Sequence, residues 1–496
     1  MRARIAVAAR FSPANVPADC IRCAIRCWPP VANPAQFRNA NGAGPPASTR
    51  RSYPITRVFN TCLLPAAEGS LGARNTFNFR HEILGLSVRQ TCAAHAGIPI
   101  RWAPALRHCA WVVALTLMLT VLVGCDPDAA ESPAFRIGVM ESLTGAGETY
   151  GTVAIQSKTL AVEDINAAGG IDGRPLELVV EDSKCNAQDA INAYNKLTDV
   201  EGVQIILGTS CSGAMLGVAP LAERDGVILF SGLASNPDIA NAGDYIFRTQ
   251  ISDIEVGHST GDILWSDGIR RLAMISEETD YAAGIRRVTA ERFEQHGGSI
   301  VAAERFAPDT TDFRTQLTKL FDAGPDALHV SPQSEFAGGT IIKQARELGF
   351  AGPIYAETVS VGATALEIAG DAATGVKAIT AAPDPENETA QDLLARFRER
   401  YEYITLPWHL GSAYDTVNIA AECLRRTGDD QDADGFRDCL YEITWSGAIG
   451  DGYSFDSDGE VVGLSRSVVE VLPPRERTAE NYGYRVLGNA AELAAT

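Results

Sequence analysis

The stretch VQIILGTSCSGAM, residues 203–215, carries an apolar run of strand length into a turn of small hydroxyl residues and then into a helical pattern. That is the strand–turn–helix junction of a βαβ unit. The same unit recurs on both sides of it. FRIGVM (135–140), LELVVED (176–182), VILFS (227–231), RLAMIS (271–276), DALHV (326–330) and PIYAE (353–357) read as further strands, with helix-patterned segments between them. The helix across 153–168 stops at Gly169-Gly170, a pair suited to a C-terminal cap. This alternation predicts an α/β fold with largely parallel sheets. A break near residues 246–253 divides the strands into two sets and so predicts two lobes, while Gly297-Gly298 and the prolines at 383 and 385 read as turns or crossovers.

Open α/β sheets bind ligands at the carboxyl ends of their strands, where the amides of helix starts are free. Just past the strand ends stand Ser210, Ser212 and Gly213, then Ser235 and Asn236, then Tyr281, and the run PIYAE itself ends on Glu357. Hydroxyls, open amides, one carboxylate and aromatic rings suit a small zwitterion. Glu357 is the most telling of these, because a carboxylate closing an apolar strand needs a partner. His258, His329 and His409 are scattered singly and read as structural. The sequence has no Gly-x-x-x-x-Gly-Lys run, no paired histidine ligands and no Gly-x-Ser-x-Gly elbow, so neither an enzyme nor a cofactor is expected.

Charge changes sharply along the chain. Residues 1–108 hold 14 Arg, no Lys and 3 acidic residues, a net of +11, whereas the remainder holds 28 basic against 59 acidic residues. At the change lies a basic flank (Arg101, Arg107), a charge-free apolar run over 110–123, then Gly124 and Cys125. These are the parts of a secretory signal, too short to span a bilayer, which takes about 20 apolar residues. Leu-Val-Gly-Cys resembles a bacterial lipobox. The expectation is therefore a non-native or disordered upstream extension over 1–100, a lipoprotein signal over 101–124, and a chain acylated at Cys125 with a linker to 133. The acidic balance excludes nucleic acid as a partner. Beyond Cys125 four cysteines remain, Cys185, Cys211, Cys423 and Cys439, an even number as disulfides in an oxidising compartment require.

Several ordered motifs resemble one family. SLTGAGETYG (142–151), DINAAGGIDGRPLELVVEDSKCN (164–186), ILGTSCSG (206–213), FSGLASNPD (230–238) and IAGDAATGV (368–376) are similar to the substrate-binding proteins of branched-chain amino acid ABC importers. The resemblance runs from about Phe135 to Gly488. It implies the type I periplasmic-binding fold, two Rossmann-like lobes joined by three crossovers and closing on one amino acid. It implies that Ser212 caps the helix beginning near Gly213 and meets the ligand carboxylate. Ala234 and Ser235 contribute backbone and hydroxyl contacts, Glu357 pairs with the ammonium, and Tyr150 and Tyr281 line the side-chain pocket. It also implies a Cys185–Cys211 bridge; Cys423 and Cys439, beside adjacent helix patterns, form a possible second pair. The chain departs from the family at SPQSEF (331–336), where Gln333 and Ser334 replace aromatic surface and favour a more polar ligand.

Asp430, Asp432, Asp434 and Gly435 open like a calcium loop, but the twelfth position is Tyr441 rather than a bidentate Glu, which favours a plain acidic turn. The expected lobes are 134–250 with 380–453, and 251–379 with 454–496. The expected function is capture of a branched-chain-type or more polar amino acid, outside the cytoplasm and lipid-anchored, with delivery to permease and ATPase subunits. The alternative is an amide, urea or other small solute in the same fold, or a sensor role.

Overall fold

The computed structural model describes residues 133–381, 386–401 and 406–495. The upstream extension, the signal over 101–124, Cys125 and the prolines at 383 and 385 lie outside the described residues.

The first sheet is built from β1 (Phe135–Glu141), β2 (Leu176–Asp182), β3 (Ile205–Gly208), β4 (Ile228–Ser231) and β5 (Ile246–Arg248), all parallel, in the order β2-β1-β3-β4-β5. Between them run α1 (Glu148–Ala167), α2 (Ala187–Asn195) and α3 (Ser212–Asp225). Strand side chains alternate between faces, and the packing follows that period of two. Ile205 and Leu207 join Ile137, Val139 and Phe230 on one face, while Ile206 joins Met140 and Leu229 on the other. The second face packs on Tyr194 of α2 and Met215 of α3. The first face is covered by α10 (Pro407–Thr427) and α11 (Ala433–Glu442), through Val417, Leu424 and Phe436.

The second sheet takes β6 (Arg271–Glu277), β7 (Ser299–Phe306), β8 (Ala327–Ser331), β9 (Ile354–Ala356), β10 (Lys377–Thr380), β14 (Ser467–Val471) and β15 (Tyr484–Asn489) in the order β15-β14-β10-β9-β8-β6-β7. Its first five strands are parallel; β14 runs antiparallel to β10, and β15 antiparallel to β14. Ala273, Ile275 and Val330 pack on α6 (Arg314–Asp322) and α7 (Glu335–Glu347), and Leu272 and Met274 on α4 (Asp253–Ser266) and α5 (Asp280–Gln295). The helices α8 (Ala363–Ala369), α9 (Glu388–Tyr401) and α12 (Ala490–Ala494) complete the described set. The chain passes between the sheets after β5, after Thr380, and before β14.

One boundary differs from expectation. Residues 454–462 stay with the first lobe. They belong to a small antiparallel sheet of β11 (Thr444–Gly447), β12 (Gly450–Phe455) and β13 (Val461–Val462). Phe455 is inserted edge-on between Phe230 and Phe247, at ring separations of 5.5 and 5.8 Å. The turn at 456–460 joins β12 and β13 as a hairpin.

Cys185–Cys211 and Cys423–Cys439 are both bridged, closing loops of 26 and 16 residues. The first fixes the turn after β3. Replacing Cys185 and Cys211 together by serine is expected to lower unfolding stability by about 3 kcal/mol, from loop closure in the unfolded chain, as read by urea denaturation. The acidic turn at 430–434 is engaged within the fold. Asp430 accepts the Arg136 amide at 2.7 Å, and Asp432 caps α11 through the Gly435 amide at 2.9 Å.

Candidate functional site

Each sheet has one place where neighbouring strands send their connections to opposite sides, between β1 and β3 in the first and between β6 and β8 in the second. Such switch points open a crevice at the strand ends. Here the two face each other. Tyr150, at the start of α1, donates its hydroxyl to the main-chain carbonyl of Gln333, just past β8, at 2.7 Å. The Gln333 amide in turn donates to Glu277, the last residue of β6, at 2.7 Å. Burial pushes the Glu277 carboxyl up, opposed by the amides of Gln333 and Ser334.

The lobes also meet at the mouth. Asn236 Nδ2 donates to the Asp280 carbonyl at 2.7 Å, and Arg287 pairs with Asp238 at 2.7 Å. The second lobe comes close to Gly213 as well: a Cβ there would lie 2.4 Å from Asp280 Oδ2, the end of an exposed side chain that can turn away.

The cavity between the lobes offers about 60 Å3 to water centres, enough for a handful of water-sized groups. It brings together Tyr150, Ser212, Ser235, Tyr281, Gln333 and Glu357 from the residues read in the sequence. Ala234 is not on its wall. The Ala234 amide is held by Ser231 Oγ at 3.0 Å, and its carbonyl faces Arg248.

Ser212 corrects an expectation. It is the first residue inside α3 rather than its cap, so its hydroxyl does not reach its own helix's amides. Instead it accepts the amides of Ser235 and Asn236, at 3.3 and 3.2 Å, and ties the loop after β4 to the helix start. Cys211 at the cap position makes no side-chain cap bond, so the first amides of α3 are left for an anion.

Opposite this bare helix end stand two carboxylates. Glu357 follows β9 and is buried; its Oε1 lies 2.9 Å from Nε2 of His329, which is itself fully buried in β8. His329 Nδ1 is held by Ser331 Oγ at 3.1 Å, so the isolated histidine of the sequence is the partner that Glu357 requires. The second carboxylate, Asp253, was not anticipated. It opens α4 and accepts the Ser235 hydroxyl at 3.0 Å. Burial first, then the charge of Glu357, push its carboxyl up to about 8, against the Ser235 hydrogen bond and Arg248. The same burial, with Glu357 and Asp253, keeps the Tyr281 phenol neutral and a donor.

Beneath the site Lys158 of α1 pairs with Glu141, whose second oxygen takes the hydroxyl of Ser210. Behind the loop after β4, the buried Arg248 donates to the Asn236 carbonyl at 2.9 Å and pairs with Glu460 at 2.5 Å.

Asp253 gives the site a pH dependence. An ammonium beside it favours the carboxylate, so binding releases a proton there. Affinity for a ligand with an ammonium is expected to rise as pH climbs to about 8 and then level. In the unliganded protein the sign is opposite. The folded state keeps this proton longer than the unfolded chain, so stability falls as pH rises from the ordinary Asp range to about 8. Calorimetry in buffers of different ionisation heat reads the released proton; a flat profile would place Asp253 out of the ligand's reach.

The sequence bears out this architecture. A periplasmic binding protein family model matches residues 134–468. The leucine-, isoleucine-, valine-, threonine- and alanine-binding protein of Pseudomonas aeruginosa is 26% identical over 363 residues, 69% of this chain and 91% of that protein. The branched-chain amino acid transporter substrate-binding protein LivJ of Streptococcus pneumoniae, solved with isoleucine, is 26% identical with a TM-score of 0.62, over 72% of this chain and 98% of that one. A solute-binding protein from R. palustris, solved with benzoate, is similar in fold alone, with 18% identity and a TM-score of 0.65 over 72% of this chain and 96% of that one. Among the described residues no helix is long and apolar enough to cross a membrane. With two facing switch points and a family match over residues 134–468, the chain belongs to the periplasmic binding protein family.

Proposed function

We propose that this chain is the solute-binding lipoprotein of an ABC importer, capturing an α-amino acid between its lobes and delivering it to membrane permease and ATPase subunits. The observation that carries the reading is the polarity of the cavity. Two carboxylates, Glu357 and Asp253, with the Ser235 hydroxyl, suit an ammonium, and the uncapped start of α3 suits a carboxylate. A zwitterion touching both lobes favours the closed form by its differential contacts. The names of the Pseudomonas and Streptococcus relatives point the same way.

A thermal-shift panel of amino acids, amides, urea and aromatic acids tests the head group. Stabilisation by amino acids is expected; stabilisation by an amide, urea or benzoate and by no amino acid overturns it. The anchor is tested separately. Cys125→Ala is expected to move the protein from the membrane fraction to the soluble fraction, since Cys125 would carry the acyl chains that hold it, and unchanged association removes the anchor from the proposal.

A further inference from the structure

Beyond Trp408 and His409, at the start of α10, the head-group cavity adjoins a second one. Thr358, Thr380, Ala381, Trp408 and His409 line both. The second cavity is far larger, with about 480 Å3 open to water centres against about 60 Å3 in the first. An amino acid of ordinary size fills the first and leaves the second to solvent.

Three features of the second cavity point to a ligand group. Its apolar walls come from both lobes, with Leu406 and Trp408 from one side and Leu366, Tyr482 and Tyr484 from the other. Among the described residues its charged lining is Arg398, Arg477 and Glu367, with Asp371 within electrostatic reach of Arg477 and Glu480 within reach of Arg398. Arg477 donates to the main-chain carbonyls of Leu472, Leu366 and Gly370, at 2.8, 3.0 and 2.8 Å, which satisfy its N–H groups. Arg398 reaches the Ala479 carbonyl at 3.3 Å.

The third feature is His409. Its Nδ1 is buried with no hydrogen-bond partner, although the residue lies on the wall shared by the two cavities. Burial holds its pKa at about 4, so at neutral pH the ring is uncharged. A buried ring nitrogen left unpaired is costly, and a turn of the ring is what would bring it to a ligand atom passing from one cavity to the other.

We infer that the ligand is an α-amino acid with a long side chain ending in a hydrogen-bond acceptor, a carboxylate or an amide carbonyl, which runs past Trp408 and His409 into the second cavity. This rests on the amino-acid reading of the head-group site. The side chain's methylenes lie along Trp408 and Leu406, and its terminal acceptor meets the positive field of Arg398 and Arg477.

Calorimetry with one head group and graded side chains tests this: alanine, leucine, glutamate, 2-aminoadipate, 2-aminopimelate and the terminal amide of the last. The long acceptor-ended members are expected to bind at least about tenfold tighter than alanine and leucine, one buried hydrogen bond to a charged group being enough for that factor. Leucine or alanine binding as tightly as every long member overturns the inference and leaves the head-group reading standing. No amino acid binding at all overturns the head-group reading itself. Ala479→Trp, on the wall of the second cavity, is expected to abolish the gain of the long acids while alanine binds as before; a retained gain places their side chains elsewhere.

Discussion

Glu357→Gln is expected to weaken binding of the preferred amino acid by roughly 2–5 kcal/mol, the range for truncating one partner of a buried charge pair. The substitution keeps the shape and deletes the charge. One oxygen of Glu357 is occupied by His329, and the carboxylate as a whole lines the cavity. In the glutamine variant the amide oxygen can still meet His329, which turns the NH2 group towards the ligand. Two donors then face each other where a cation met an anion. Ser212→Ala is expected to cost less, because its hydroxyl serves the loop at 235–236 while the amides of α3 remain. Calorimetry on both variants with the best member of the amino-acid panel decides the order. An unchanged affinity in Glu357→Gln removes the ammonium from this position and brings the amide or urea reading forward.

Lys158→Met is expected to destabilise the fold by roughly 3–5 kcal/mol, measured by urea denaturation, because it leaves Glu141 buried without a counter-charge. Both side chains of this pair are fully buried. Adding Glu141→Leu is expected to restore most of the lost stability, since an apolar pair of similar volume often replaces a buried ion pair at little cost. The double variant is still expected to bind poorly, because Ser210 loses the carboxylate that holds it at the cavity. Stability and affinity thus separate in one experiment. A Lys158→Met protein as stable as the parent would mean that Glu141 becomes neutral or hydrated without consequence.

The alternating body of the fold was legible because buried strands and helices differ in period, and the strand-end residues followed from it; the Cys185–Cys211 bridge came from the family resemblance, and the Cys423–Cys439 pair was left open by the sequence. What escaped is specific. β5 has three residues, and β7 carries charged, half-exposed positions that blur its alternation. β14 and β15 join the second sheet antiparallel from far along the chain, a matter of tertiary pairing. In the site, Asp253 was hidden because an acid in the first turn of a helix is ordinary. Lys158 was missed although its phase was readable: positions 154 and 161, on its own face of α1, are alanines buried in the core. His329 stood alone in sequence because its partner is 28 residues away.

The returning chain also sets an order of construction. All five strands of the first sheet are encoded before residue 249, yet the helices that cover one of its faces span Pro407–Thr427 and Ala433–Glu442. The five parallel strands of the second sheet end at Thr380, but β10 finds its outer neighbour only at Ser467–Val471. A chain made only as far as about residue 400 therefore holds two half-built bodies, one with the Ile137, Val139 and Phe230 face covered by α1 but not by its later helices and one with an unpaired sheet edge. Neither is complete without residues 407–471. Long-range closure of this kind is slow, so both bodies stay open until that returning segment has packed.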